Sequence, residues 1–204
     1  MSTDDDLTAA LDEAFAGDPD HLGDLRDRLA VAAEAEGILD VGYRTIDSPV
    51  GTLLLAATDL GLVRVAYANE DHDVVLQSLS DRISPRVLHA PARLDAAARQ
   101  LDEYFAHRRH TFDVTLDWQL TTGFRNAVLH ELPGIAYGRT ATYADVAVLA
   151  GNPKAVRAVG TACATNPLPI VVPCHRVVRS DGSMGGYLGG VEAKRTLLSL
   201  EAAA

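Results

Sequence analysis

Cysteine is scarce in this chain: Cys163 and Cys174 are the only two in 204 residues. Two thiols make no disulfide framework and suit a reducing compartment. With none before position 163, a thiolate zinc site in the first 162 residues is excluded, and the scattered histidines of the first 115 residues (His21, His72, His89, His107, His110) show no ligand spacing. Long apolar runs are missing as well. None approaches the ~18 residues of a membrane span, so no membrane partner is expected. The start, Met1-Ser2-Thr3-Asp4-Asp5-Asp6, is acidic and lacks the basic and apolar regions of a secretory signal, which points to the cytoplasm. No glycine-rich phosphate loop or nucleotide fingerprint occurs, so no cofactor is implied.

A surplus of positive charge, the usual mark of a nucleic-acid binder, is also lacking overall, at a net charge of −10. Its distribution reverses that impression. Residues 1–40 hold 12 acidic and 2 basic side chains, which accounts for the whole imbalance. Between Arg139 and Arg179 the balance is positive, with Arg139, Lys154, Arg157, Arg176 and Arg179 against Asp145 alone. Local charge is what meets phosphate.

The apolar pattern assigns the elements. Leu7–Phe15 and Leu22–Glu36 have helical spacing and form an acidic extension over residues 1–40 with no functional motif. Tyr43–Asp47, Thr52–Ala57 and Leu62–Tyr67 alternate as strands, separated by Ser48-Pro49-Val50-Gly51 and Asp59-Leu60-Gly61, and predict an antiparallel meander. Helices are expected over His72–Ile83 and Ala92–His107, with Tyr104 and Phe105 as core. Thr111–Leu120 links to a second domain that opens with a helix over Thr122–Leu132. The boundaries drawn are 1–40, 41–115 and 116–204.

Two stretches carry chemistry. A helix over Ala141–Ala150, the break Gly151-Asn152-Pro153 and a second helix over Lys154–Ala164 read as a helix-turn-helix. The second helix is built of Ala155, Ala158, Gly160, Ala162 and Ala164, with few of the long polar side chains that read base edges in the major groove. A smooth helix suits the minor groove, where little sequence is read. After the apolar run Ile170–Val172, Pro173-Cys174-His175-Arg176-Val177-Val178 places a thiol beside an imidazole. On that pair alone Cys174 is either a nucleophile activated by its neighbour or a small buried hydrophobe. Cys163, among small residues, reads as packing.

This motif, with Asn166-Pro167 eight residues before the cysteine, resembles the active-site signature of the O6-alkylguanine-DNA alkyltransferases, or methylated-DNA–protein-cysteine methyltransferases. The resemblance runs from Gly42 to the C-terminus. It includes Tyr137-Gly138-Arg139, Thr142-Tyr143-Ala144-Asp145, the stretch from Gly151 to Gly160, Gly185-Gly186-Tyr187-Leu188-Gly189-Gly190 and Lys194–Leu198. It implies an α+β fold, in which an antiparallel-sheet, RNase H-like N-terminal domain precedes a helical, winged helix-turn-helix-like C-terminal domain.

The resemblance further implies a monomer that binds double-stranded DNA containing O6-alkylguanine, with O4-alkylthymine open as a second substrate. The nucleotide would be flipped out and the alkyl group moved once and irreversibly to Cys174. His175 would take the thiol proton through a water, Glu201 would orient His175, Asn166 would brace the turn, and Tyr143 would protonate the leaving base. Arg157 would enter the base stack, with Lys154, Ala155, Ala158, Tyr143 and Arg176 also on DNA. Tyr187, Leu188, Val177 and Gly186 would form the substrate pocket. Leu188 departs from the serine or other small residue common at its place: acting through its backbone N–H on O6 it would keep that contact, and acting through its side chain it would narrow the pocket and make bulky alkyl groups poorer substrates than methyl. The expected location is the cytoplasm, on the nucleoid when DNA is bound.

Three rivals stand beside this. A lesion sensor of the same fold would lack the cysteine. A helix-turn-helix regulator would carry base-reading side chains on its second helix. A cysteine hydrolase would need a histidine from elsewhere and an oxyanion hole.

Overall fold

The computed structural model describes residues 19–202, and the chain divides between Leu39 and Asp40 into two units. In the first, α1 (Pro19–Ala35) stands close to the helix expected at Leu22–Glu36. Gly37, at φ 66°, ends it, with the Ile38 N–H donating to the Ala33 carbonyl at 2.9 Å. The helix expected over Leu7–Phe15 lies outside the described residues.

The second unit begins with the meander: β1 (Val41–Ile46), β2 (Leu53–Thr58) and β3 (Gly61–Tyr67), antiparallel in that order. The sheet is not wholly antiparallel. After β3 the helix α2 (His72–Arg82) carries the chain back, so the short β4 (Val87–His89) enters beside β1 and parallel to it. The result is a mixed sheet of order β3-β2-β1-β4. The sequence pattern misses β4 because three residues show no alternation. At the other edge the linker runs against β3. The Leu62 N–H donates to the Thr115 carbonyl and the Asp117 N–H to the Leu62 carbonyl, both at 2.9 Å. Gly61, at φ 137°, permits this approach, since a Cβ there would stand 2.4 Å from the Thr115 oxygen.

β2 is buried on both faces, which explains its unbroken run of Leu and Ala. Leu54 and Ala56 pack with Val41, Val63, Val75 and Leu79, under α2. Leu53, Leu55 and Ala57 face the other way, toward Leu101 and Tyr104 of α3 (Asp95–Phe105). That second layer continues without a break into Val128, Leu129, Val146, Val159, Cys174 and Leu197, so sheet and helical half share one core.

The helical half contains α4 (Gly123–Glu131), β5 (Ala141–Thr142), α5 (Tyr143–Leu149), α6 (Val156–Ala164), β6 (Val177–Val178) and α7 (Gly190–Ala202). The helix expected from Ala141 starts at Tyr143, because residues 141–142 pair in parallel with 177–178. Thr142 caps it: its hydroxyl accepts the Asp145 N–H at 3.1 Å, and Asp145 accepts the Thr142 N–H at 2.8 Å. Gly151, at φ 76°, turns the chain, and Pro153 delays α6 to Val156. The β5–β6 pair brings the start of the helix-turn-helix beside the residues that follow Cys174.

A shared core predicts one unfolding event. Leu101→Ala, emptying a fully buried site, should cost about 2–5 kcal/mol. Far-UV dichroism and the fluorescence of Trp118, which packs against the same core, should still melt in one coincident transition.

Candidate functional site

Cys174 opens a single 3-10 turn (Cys174–Arg176) and is 1% exposed. The loop before it is held by Asn166, which is wholly buried. Its Nδ2 donates to the Val172 carbonyl at 2.9 Å and to Cys174 Sγ at 3.1 Å, and its Oδ1 accepts the Leu168 N–H at 3.0 Å. Ile170 sits at φ 72°, a conformation disfavoured for a β-branched residue, inside this clamp. The sheet contributes too: the Val65 N–H of β3 donates to the Pro167 carbonyl at 2.8 Å. Burial pushes the Cys174 thiol up to about 11, against the Asn166 hydrogen bond, the charge of Lys194 and the Tyr187 hydroxyl. At neutral pH the resting group is a thiol.

His175 is wholly buried, and its Nε2 lies 2.8 Å from Glu201 Oε1. The same oxygen accepts the Tyr104 hydroxyl at 2.7 Å and Arg176 Nη2 at 2.9 Å, while Oε2 accepts Arg176 Nε at 2.9 Å and the Gly138 N–H at 3.1 Å. Burial opposes ionisation of Glu201, yet these donors, His175 and Arg176 first, hold it down to about 2. Burial holds the imidazole below its ordinary value despite the carboxylate beside it. The tautomer follows. An ionised carboxylate only accepts, so the neutral ring carries its proton on Nε2 and leaves Nδ1 as a free base. Nδ1 is buried and has no hydrogen-bond partner among the described residues.

Tyr187, whose ring centroid lies 6.5 Å from that of His175, joins this layer to a cavity of about 590 Å³ lined also by Tyr143, Arg157, Gly160, Arg179 and Leu188, among others. Residues 156, 157, 160 and 164 give α6 one face on it. Lys154, Arg157 and Ala158 are exposed and Ala155 is half-buried. The far wall, Gly185–Leu188, is tied down at several points. Tyr187 and Tyr67 hydroxyls meet at 2.8 Å, Asn69 Nδ2 donates to the Leu188 carbonyl at 3.0 Å, and Gly189 lies flat on the Tyr67 ring. Lys194 is wholly buried, its Nζ donating to the carbonyls of Val177 and Met184 at 2.6 and 2.5 Å, so it joins β6 to that wall.

Cys174, His175, Glu201 and Asn166 thus converge, and Tyr143, Tyr187, Leu188 and Gly186 share the cavity. One expected role fails: Arg176 is 5% exposed, with its guanidinium on Glu201 and on the Ile135 carbonyl at 2.6 Å, so it is a buried counter-charge and not a DNA contact. Val177 is fully buried, is not among the residues lining this cavity, and gives its carbonyl to Lys194. Sequence reasoning also missed Tyr104, read as core, whose hydroxyl reaches Glu201, and the bracing by Tyr67 and Lys194. A phenol or lysine inside an apolar helical stripe is a weak but readable sign that its polar tip has a partner.

Comparison with known proteins gives a consistent result. Residues 41–118 match the ribonuclease-like domain and residues 123–203 the DNA-binding domain of 6-O-methylguanine DNA methyltransferase. The chain is similar to the methylated-DNA–protein-cysteine methyltransferase of Mycolicibacterium paratuberculosis, at 38% identity over 79% of this chain and 92% of that one. It is also similar to the crystal structure of Mycobacterium tuberculosis O6-methylguanine methyltransferase, with TM-score 0.70 and 38% identity over 80% of this chain and 93% of that one. A crystal structure of M. tuberculosis OGT in complex with DNA aligns with TM-score 0.68 and 37% identity over 79% and 93% of the two chains.

The Glu201 network sets an acid limit. Its folded pKa of about 2 lies below the ordinary 4.5, so its contribution of about 3 kcal/mol is complete above pH ~4.5 and is lost as pH falls toward ~2. Glu201→Gln should flatten that part of a urea-midpoint against pH curve. It should also cost about 3–5 kcal/mol at neutral pH, because Arg176 is left buried and unpaired.

Proposed function

The chain belongs to the 6-O-methylguanine DNA methyltransferase family, and we propose on that premise that it repairs DNA by direct reversal, accepting the alkyl group of O6-alkylguanine on Cys174. The observation that carries this reading is the unpartnered Nδ1 of a buried neutral histidine that follows a buried thiol in the chain, with Tyr187 joining both to a cavity roomy enough for a nucleotide. A buried acceptor of that kind is where a water sits.

The chemistry follows from these groups. A modified O6 on a stacked, paired base is out of reach, so the nucleotide turns out into the cavity and Arg157 fills the gap it leaves. Residues 116–204 carry the DNA face and the transfer chemistry, while 41–115 brace the site. The thiol proton moves through a water to His175 Nδ1, and Glu201 stabilises the imidazolium. The thiolate attacks the alkyl carbon, the S–C bond forms and the C–O6 bond breaks with its electron pair passing to the purine. Tyr143 delivers a proton to a ring nitrogen, so the base leaves neutral. The proton held on His175 then returns through solvent to the Tyr143 oxygen, so that in sum the thiol loses one proton and guanine gains one. Asn166 is the bracing donor on Sγ and then on the thiolate.

The product thioether is stable to water, so each chain acts once; the same reading takes it to act as a monomer in the cytoplasm. Leu188 narrows the cavity wall and makes methyl a better substrate than bulkier groups.

Intact mass and peptide mapping test this after mixing stoichiometric protein with a duplex bearing one O6-methylguanine. One added methyl on the Cys174 peptide, restored guanine and no second turnover are expected. Cys163→Ser should transfer normally. Cys174→Ser should bind the lesion and not react. Tight lesion binding by the wild type without mass change would make it a sensor, and indifference to the lesion would remove both readings. Leu188→Gly should raise the rate for O6-benzylguanine relative to O6-methylguanine, read from competition between the two substrates.

A further inference from the structure

A second cavity, of about 420 Å³, opens where the first one ends, and the two share Ala164 and Leu188. Its polar lining is Arg64, Glu70, Ser78, Arg82, Arg125 and Thr165. The charges are not balanced within it. Arg64 pairs with Glu70, whose other oxygen accepts the Tyr67 N–H at 2.9 Å. Arg82 at the end of α2 and Arg125 in the first turn of α4 have no carboxylate among the described residues. Both instead donate to one carbonyl oxygen, that of Leu120, at 3.3 and 3.0 Å. Arg125 Nε is buried and has no hydrogen-bond partner among the described residues. Two guanidiniums gathered on a single neutral oxygen repel one another, and burial together with Arg82 and Arg64 makes the charge of Arg125 harder to hold. An anion with two or more oxygens would relieve both the repulsion and the orphaned donor.

We infer that Arg82 and Arg125 bind a backbone phosphate of the DNA flanking the lesion, extending the DNA interface from α6 across the α2–α4 cleft. This rests on the reading of DNA as the substrate. Along α6, a rise of 1.5 Å per residue puts Ala164 about 10 Å beyond Arg157, within two or three nucleotides of the flipped base at 3.4 Å per phosphate along a strand. The cleft therefore begins where a neighbouring phosphodiester passes. A chain with net charge −10 and a sparsely charged reading helix gains most from two such cations.

The test uses the full chain and a duplex of about 20 base pairs with one O6-methylguanine. Affinity is followed against salt for the wild type, Arg82→Gln, Arg82→Lys and the Arg82→Gln/Arg125→Gln double variant. Alkyl transfer from free O6-benzylguanine base, which needs no DNA, serves as the measure of a folded site. Loss of one phosphate contact should lower the slope of log K against log salt by about 1, and the double variant by 1 to 2, with roughly 3- to 30-fold weaker binding at low salt. Arg82→Lys should keep the slope. Unchanged slope and affinity in Arg82→Gln and the double variant, with free-base transfer intact, would overturn the inference. Should the double variant fail to fold, exposed Arg82 decides alone. A wild type that does not prefer the lesion duplex would instead defeat the repair reading itself.

Discussion

The carboxylate of Glu201 is the constraint on which the site depends. It accepts from His175, Arg176, Tyr104 and the Gly138 backbone, and these four donors come from three separate parts of the chain. A single buried anion thus fixes the histidine tautomer, neutralises an arginine that could not otherwise be buried, and pins the last turn of α7. Desolvating a carboxylate is tolerable only when its oxygens are saturated in this way. The position of the histidine beside the cysteine is therefore a tertiary fact, although the two residues are adjacent in sequence.

The mixed sheet holds no reacting group, yet it braces the site. β3 meets the Pro167 loop through the Val65 N–H, Tyr67 supports Tyr187 and lies under Gly189, and Asn69 holds the Leu188 carbonyl. Loop positions alone do not keep reacting atoms aligned, and a rigid element behind them does. Glycines in the wall 185–190 allow close approach, and the sheet limits how far the wall can move.

Much of this was legible in the sequence. Strand alternation gave β1 to β3, and the glycine and proline punctuation gave the two helices around Gly151. The Cys174 motif and Asn166 were readable because they lie close together along the chain. Glu201 needed the resemblance, since nothing local ties it to a histidine 26 residues away. Arg176 was misread because an arginine next to a Cys-His pair in a locally basic stretch looks like a phosphate contact, and only the fold shows that the turn points it inward. The parallel β4 escaped because its short segment owes its conformation to β1 rather than to its own pattern. Tyr104 and Lys194 escaped because helical periodicity sorts residues by their stems and ignores their tips.

Cys174 belongs to the same close-packed layer as Val159, Leu168 and Leu197. A group placed on its sulfur enters an interior fitted to a bare thiol, where surplus carbon forces neighbours off their preferred rotamers at about 1–3 kcal/mol. The record of a completed repair is then written in the interior of the molecule. A reacted chain differs from a fresh one in how firmly it holds together, and the cell's machinery for loosened proteins could sort the two without any receptor for the adduct.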